Sequence, residues 1–244
     1  MSRASTIPSE LDLLCESCGY VLKSLPPEGR CPECGELIAH SLPTLRIPSP
    51  WEQGTGPTLE GFLRTTLGAI FAPSRFFRSL SIAPSIDRSR SFALINELIA
   101  SLLFGLAGNV HLAWLARLVT LPRTIRLPWF FIAAVLTAAA FATLTGVTTV
   151  AARLTHWEAT YRGLRMPLRV VRRGLRFHTA HFLPVAIICC VIIFGYAELL
   201  RYRLINSSHD LHYLYMLSAA AIISCIYLFI TYWIGMKNLM YANR

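Results

Sequence analysis

Four cysteines near the N-terminus have the spacing of a metal site. They form two Cys-x-x-Cys-Gly turns with twelve residues between the two pairs, and their positions are Cys15, Cys18, Cys31 and Cys34. Two such turns can bring four thiolates to about 2.3 Å from one tetrahedral zinc ion. Gly19 and Gly35 follow the turns directly, where the backbone folds around sulfur and a side chain would crowd it. The spacing therefore predicts one zinc ion held by four cysteines.

Three other kinds of cysteine chemistry use the same residue types. Disulfides are disfavoured in a cytosolic segment. A thioredoxin-type redox motif requires one Cys-x-x-Cys in an α/β context, whereas two occur here in a short, loop-rich segment. Iron could occupy a rubredoxin-like site, but the short separation favours zinc. A segment of about 25 residues cannot bury a sufficient core, so we expect the metal to stabilise its fold.

The segment from Cys15 to Gly35 resembles a short zinc ribbon of the rubredoxin-knuckle type, which heads many bacterial membrane proteins. The resemblance implies a small β fold of two hairpins and metal binding by the four cysteines. Zinc ribbons bind nucleic acids, bind proteins or have a purely structural role. Acidic residues outnumber basic ones around this one, with Lys23 and Arg30 against Glu16, Glu28, Glu33 and Glu36. This balance disfavours nucleic acid and favours a docked protein partner or a structural role.

The overall composition indicates a membrane protein. The chain has 244 residues, of which 54% are apolar and only 15% charged, against about 25% charged in ordinary soluble domains. The mean hydropathy is +0.50. These values exclude a soluble globular domain, a disordered chain, a collagen-like repeat and a secreted disulfide scaffold. What remains is a polytopic membrane protein with a small polar head.

Four apolar runs are long enough to span a bilayer, which takes about 20 helical residues. They lie near 92–115, 129–150, 182–200 and 213–236. We therefore predict an all-α polytopic fold with four transmembrane helices behind the β zinc ribbon. The predicted organisation is a polar lead at 1–10, the ribbon at 11–39, a Pro/Gly-rich extended linker at 40–57, cytosolic or interfacial helices at 58–90, and the membrane domain at 91–240.

The distribution of basic residues predicts the orientation in the membrane. In the segments that flank the spans, fourteen Lys and Arg lie on the side that carries both termini and five on the other, and such an excess marks the cytosolic side. The first residues show no apolar run of a signal peptide. We therefore predict a bacterial inner-membrane protein with both termini in the cytosol. Because the arginines flank apolar runs, anionic lipid headgroups are a better partner for the net charge of +10 than nucleic acid.

Residues 157–178 show the strongest amphipathic pattern. One stripe of large side chains recurs at spacings of three and four residues, and a separate face carries Arg162, Arg165, Arg169, Arg172, Arg173 and Arg176. This pattern is typical of a helix that lies in the membrane interface with its arginines at anionic headgroups. Pro167 predicts a break or a new helix start within the stretch.

Glu97 and His111 are the ionisable residues of the first span. They project close to one line of a helix, so they could begin a polar path for a small transporter or channel component. The alternative is that each lies near one membrane interface. The sequence contains none of the common hydrolase, Walker or dinucleotide motifs. We therefore expect a non-enzymatic protein whose zinc ribbon docks a protein partner or is purely structural.

The segment before the first span has the pattern Pro73-x-x-Phe76-Phe77-x-x-Leu80. It resembles the entry to the Yip family, small multi-pass proteins that in eukaryotes reside in the Golgi and interact with Rab proteins. The resemblance implies a multi-pass architecture and a role in membrane trafficking. The family typically has five spans, one more than we count here.

Overall fold

The structure is a computed structural model that describes residues 12–43, 46–53, 58–84, 86–118, 128–164, 166–205 and 210–243. The predicted polar lead at 1–10 lies outside the described residues. The α-helices of the described residues are α1 Leu59–Phe71, α2 Pro73–Ser79, α3 Ser89–Leu118, α4 Trp129–Tyr161, α5 Leu168–His178, α6 Phe182–Arg201 and α7 Asp210–Leu239. Pro73 begins α2, because its fixed backbone angle suits a first helical turn.

Four helical stretches are long and apolar enough to cross a membrane. They are Ser89–Ala116, Trp129–Tyr161, Leu168–Arg201 and Asp210–Leu239. The third joins α5 to α6 through a single 3-10 turn at Thr179–His181. Each predicted span lies within one of these stretches, which confirms the prediction of four apolar membrane helices.

The metal head, which we define as residues 12–43, is built from short turns. Within it the described β structure consists of two isolated antiparallel bridges, Leu14 with Val21 and Arg30 with Leu37. The bridges do not extend into a ladder among the described residues of the head, so the β part of the predicted ribbon stays a prediction. The head buries a small core made of Cys15, Leu22, Cys31 and Ile38.

The chain divides into two compact units. The terminal unit comprises Met1–Ala93, Thr148–His178 and Thr231–Arg244, and the central unit comprises Leu94–Val147 and Thr179–Ile230. The terminal unit thus contains the metal head, α1, α2, α5 and the last turns of α4 and α7. Both ends of the described chain belong to it.

The terminal unit buries an aromatic cluster that includes a residue of the predicted linker. Trp51 is 5% exposed and lies 5.8 Å from Phe62 and 6.4 Å from Phe92 between ring centroids. Ile47 pairs with Leu80 in a parallel bridge. The prediction of an extended linker therefore fails for the described residues 46–53. Prolines exclude regular hydrogen bonding there, but they do not prevent an indole from burying its large apolar surface.

The predicted amphipathic helix at 157–178 is divided in the structure. α4 continues to Tyr161, Gly163 adopts a positive φ of 72°, and α5 begins after Pro167. Trp157 and Tyr161 are consequently exposed at the end of α4, away from the buried apolar face of α5. Pro167 predicted a break or a new helix start in this stretch. The sequence pattern did not show that the stripe of large side chains would be divided between two helices.

Small residues let two helices of the central unit approach closely. A Cβ atom on Gly105 of α3 would lie 2.0 Å from the Thr137 hydroxyl and 2.8 Å from its backbone nitrogen on α4. Such contacts between small residues are typical of helix pairs in membranes. The central unit also buries the cluster of Ala107, Trp114, Ile193, Tyr196 and Tyr213.

Candidate metal centre and its attachment

The two cysteine turns have the same backbone geometry. In the first, the Gly19 N–H donates to the Cys15 carbonyl at 2.8 Å, and in the second the Gly35 N–H donates to the Cys31 carbonyl at 2.9 Å. Both glycines have positive φ, 80° and 75°, a conformation that strains any residue with a Cβ. Both positions therefore favour glycine because of their backbone conformation. The predicted crowding by a side chain is not found at Gly35, where a Cβ would meet nothing within 4 Å, and at Gly19 it comes from the Tyr241 ring.

The four predicted ligands lie together. Their sulfur atoms are all within 4.8 Å of one another. Cys15 and Cys34 are 3.5 Å apart between sulfurs, and Cys18 and Cys31 are 3.6 Å apart. A tetrahedron with metal–sulfur bonds of about 2.3 Å has edges of about 3.8 Å. The sulfurs therefore fit a single metal ion.

The thiols of the cluster differ in how readily they release a proton. Burial raises the pKa of Cys18 to about 12. Burial acts in the same direction on Cys31, but hydrogen bonds from the backbone of Cys34 and Glu33 outweigh it and lower the pKa to about 7. Four thiolates in one small core would repel one another, and a bound metal ion removes that penalty while releasing protons.

Gly19 and Gly35 provide a matched pair of variants. A Cβ on Gly19 would lie 2.5 Å from the Tyr241 ring, whereas a Cβ on Gly35 would meet nothing within 4 Å. Both alanine variants carry the same backbone strain, about 1–2 kcal/mol. We expect Gly19→Ala to lower the free energy of unfolding by about 1–3 kcal/mol more than Gly35→Ala, because Tyr241 must move. Chemical denaturation in detergent measures the difference, and equal losses would show that Tyr241 does not rest on the first turn.

A buried ion pair attaches the head to two helices. Arg46 donates from Nε to Oε1 and from Nη2 to Oε2 of Glu16, both at 2.8 Å. The guanidinium also donates to the carbonyls of Phe77 and Leu80 at the end of α2 and to that of Asn238 on α7 at 3.0 Å. Its side chain is only 3% exposed. Arg46 therefore joins the head, α2 and α7 through charge-assisted hydrogen bonds.

The C-terminal residues form hydrogen bonds with the head next to the first of its two cysteine turns. We call these turns the first knuckle (Cys15–Gly19) and the second knuckle (Cys31–Gly35). The Leu14 N–H donates to Oδ1 of Asn243 at 2.9 Å, and Nδ2 of Asn243 donates to the carbonyls of Leu14 and Ser41 at 2.7 and 2.8 Å. The Asn243 N–H donates to Glu16 at 3.2 Å. Asn243 is 4% exposed, so one amide side chain satisfies three buried backbone groups of the head.

Arg173, one of the arginines predicted to face lipid, forms a second buried ion pair instead. Arg173 donates from Nη1 and Nη2 to the two carboxylate oxygens of Glu52 at 2.5 and 2.6 Å, and to Asp87 at 2.9 Å. The Arg173 and Glu52 side chains are 4% and 0% exposed. Arg173 is therefore not a lipid-facing residue, because its charge is used inside the protein. Burial would raise the pKa of Asp87, but hydrogen bonds from Ser89 and the charges of Arg173 and Arg176 lower it overall.

The other arginines of the predicted basic helix do not share one face. Arg162 is exposed and pairs with Glu158 on α4 at 2.7 Å. Arg176 lies 3.7 Å from Asp87, while Arg169 and Arg172 are exposed on α5. Arg165 lies outside the described residues. A lipid-facing role stays a prediction for the exposed arginines.

Glu97 and His111 are not brought together. They lie fourteen residues apart on α3, which is about 21 Å along the axis. Glu97 is 2% exposed and accepts a hydrogen bond from Thr145 at 2.9 Å. His111 lies 2.6 Å from the Tyr213 hydroxyl through Nδ1. The two residues therefore belong to separate polar contacts and do not form one site.

The residues that attach the head were missed in the sequence. Glu16 appeared only in a charge count, and Arg46 and Glu52 fell within a predicted linker. A lone arginine among prolines was the one available signal, since an arginine without a nearby acid often pairs at a distance. Nothing marked Asn243, whose partner Leu14 is 229 residues away.

Comparisons with protein-family models, curated proteins and solved structures gave no match. The described residues combine four helices that are long and apolar enough to cross a membrane with a four-cysteine cluster that could hold a metal ion. These features define a class: a polytopic helical membrane protein. The resemblance to the Yip family stays a prediction.

Proposed function

We propose that this chain is a non-enzymatic integral membrane protein whose zinc-bound head is a structural clasp. In this proposal the zinc ion holds the two knuckles in the conformation that forms hydrogen bonds with Asn243 and Arg46. We call the head together with these two contacts the clasp. The clasp then keeps the end of α7 and the end of α2 next to the N-terminal segment. The chain lies in the bacterial inner membrane with both termini in the cytosol, as the excess of arginine on that side favours.

The contact of Asn243 with the head carries the proposal. Its side chain pairs with the backbone of Leu14, which directly precedes the first metal ligand, and with the carbonyl of Ser41 at the end of the head. A change in the fold of the knuckles would leave these buried groups unpaired, at a cost of about 1–3 kcal/mol for each group. Metal binding and the position of the C-terminal residues are therefore coupled.

The same contacts favour a structural role over a mobile docking head. The carboxylate of Glu16 binds Arg46, and Tyr241 covers Gly19. The described part of the connecting segment is packed, so it provides no reach to a distant partner. Zinc is the metal of this proposal because four thiolates in a tetrahedral arrangement are its usual structural site.

Hydrogen exchange with and without a strong zinc chelator tests the clasp. We expect chelation to increase amide exchange both in residues 12–43 and in residues 236–243, while α6 is unchanged. Asn243→Ala is the matched variant: exchange should rise at 236–243 while the metal stays bound. If chelation affects residues 12–43 alone, the head is separate from α7 and the clasp is wrong. If it affects neither region, the metal has no structural role.

A further inference from the structure

A groove in the terminal unit carries positive charge that is not neutralised by an ion pair with any described residue. It has a volume of about 630 Å³ and lies among the first knuckle, α2 and the last turns of α7. This volume is within the range of about 300–1,000 Å³ that is typical of small-ligand sites. Its cationic side chains are Arg78 and Lys237.

Both cations are available to a ligand. Arg78 and Lys237 are exposed, and neither forms an ion pair or a hydrogen bond with any of the residues that the structure describes. The polar side chains of Ser17, Ser74 and Tyr241 also line the groove and have no hydrogen-bond partner in the described part of the chain. The groove therefore presents several unused donors around one space.

The nearby carboxylates do not cancel this charge. Glu16 lines the groove, but both of its oxygens are bound by the guanidinium of Arg46. Glu36 does not line the groove, and its carboxylate forms a hydrogen bond with His40 at 2.6 Å. This bond is the main cause that lowers the pKa of Glu36, and the charge of Arg78 adds a weaker attraction. The net character of the groove is cationic, so its ligand is an anion.

The α7 side of the groove places it at the level of lipid headgroups. Trp233, Lys237 and Tyr241 follow one another at intervals of four, and all three line the groove. Trp233 is 54% exposed in the last turns of a helix apolar enough to span a membrane. Exposed tryptophans next to basic residues at the end of a span mark the membrane–water interface.

We propose that this groove binds the phosphate headgroup of an anionic phospholipid. Arg78 and Lys237 bind the phosphate from two sides, and the exposed indole of Trp233 lies against the start of the acyl chains. The first knuckle supplies Ser17 as one wall, so the headgroup bridges the metal head and the membrane end of α7. This site is distinct from the arginines of α5 and does not depend on which metal the cysteines hold.

Native mass spectrometry of the full-length protein in detergent tests the site. We expect dioctanoyl phosphatidylglycerol to bind more tightly than dioctanoyl phosphatidylcholine by about twenty-five-fold, since each of the two cations contributes about five-fold. Arg78→Gln and Lys237→Gln should each weaken phosphatidylglycerol binding by about five-fold, and the double variant should remove the preference. Arg75→Gln is the matched control, because Arg75 is exposed on the same helix but does not line the groove.

Several results would overturn the proposal. A double variant that binds like the wild type would exclude the groove, and an equal loss in Arg75→Gln would indicate only general surface charge. Competition by glycerol phosphate or inorganic phosphate as strong as that of the lipid would indicate a free-phosphate site. Displacement by a hexaglutamate peptide, without any preference among lipids, would indicate an acidic protein partner instead. The melting temperature of each variant should equal that of the wild type, which would show that the substitution did not unfold the protein.

Discussion

Replacing Cys15 and Cys31 by serine together should reduce the bound zinc from about one ion per chain to none. Each knuckle then loses a thiolate, and the remaining pair cannot complete a tetrahedral site. Structural zinc sites of this type contribute about 10–16 kcal/mol of binding free energy at neutral pH, which is also folding free energy. The head has a core of only a few side chains, so we expect it to unfold while the membrane helices remain inserted.

Two measurements check this expectation. Elemental analysis of the purified protein gives the metal content, and limited proteolysis shows whether residues 12–43 become sensitive to cleavage. Cys225→Ser is the control, because Cys225 is an exposed cysteine of α7 far from the knuckles in sequence; it should leave both readouts unchanged. Zinc retained by the double variant, or iron with its thiolate absorption in the wild type, would contradict the assigned site or the assigned metal.

Removing the charge of Glu52 should destabilise the terminal unit strongly. In Glu52→Gln the guanidinium of Arg173 stays buried, and among the described residues the partly exposed Asp87 remains as its charged partner. Breaking a buried pair costs up to about 3–5 kcal/mol. The buried guanidinium loses its two-point contact with a carboxylate, and Asp87 compensates only part of its charge. We expect a fall of the melting temperature on the order of 10 °C for a chain of this size, measured by thermal denaturation in detergent.

Two controls test whether the effect of Glu52→Gln comes from the buried ion pair. Glu60 pairs with Arg64 on α1 at 2.7 Å, but both side chains are about 70% exposed, so Glu60→Gln should change the stability by less than about 1 kcal/mol. The double variant Glu52→Leu/Arg173→Met removes both charges and should recover a large part of the loss. If Glu52→Gln and Glu60→Gln have equal effects, Arg173 and Glu52 do not form the buried pair of the structure.

Local patterns in the sequence were enough to predict the cluster of four cysteines and the four apolar helices. Cysteines three residues apart followed by glycine have few structural solutions, because thiolate spacing and positive φ are properties of a few adjacent residues. Spanning helices are similarly local, since a bilayer requires about 20 consecutive apolar residues. The four cysteines and the four apolar helices were therefore both predicted correctly.

Only the tertiary structure decided how the head is held and which charges are used inside the protein. Arg46, Glu52 and Arg173 looked like solvated or lipid-facing residues, because their partners lie 30 to 121 residues away in the sequence. Amphipathic periodicity cannot distinguish a face covered by protein from one covered by headgroups, as α5 demonstrates. Long-range pairing depends on which buried groups the fold brings within hydrogen-bond distance, and no short window of sequence contains that information.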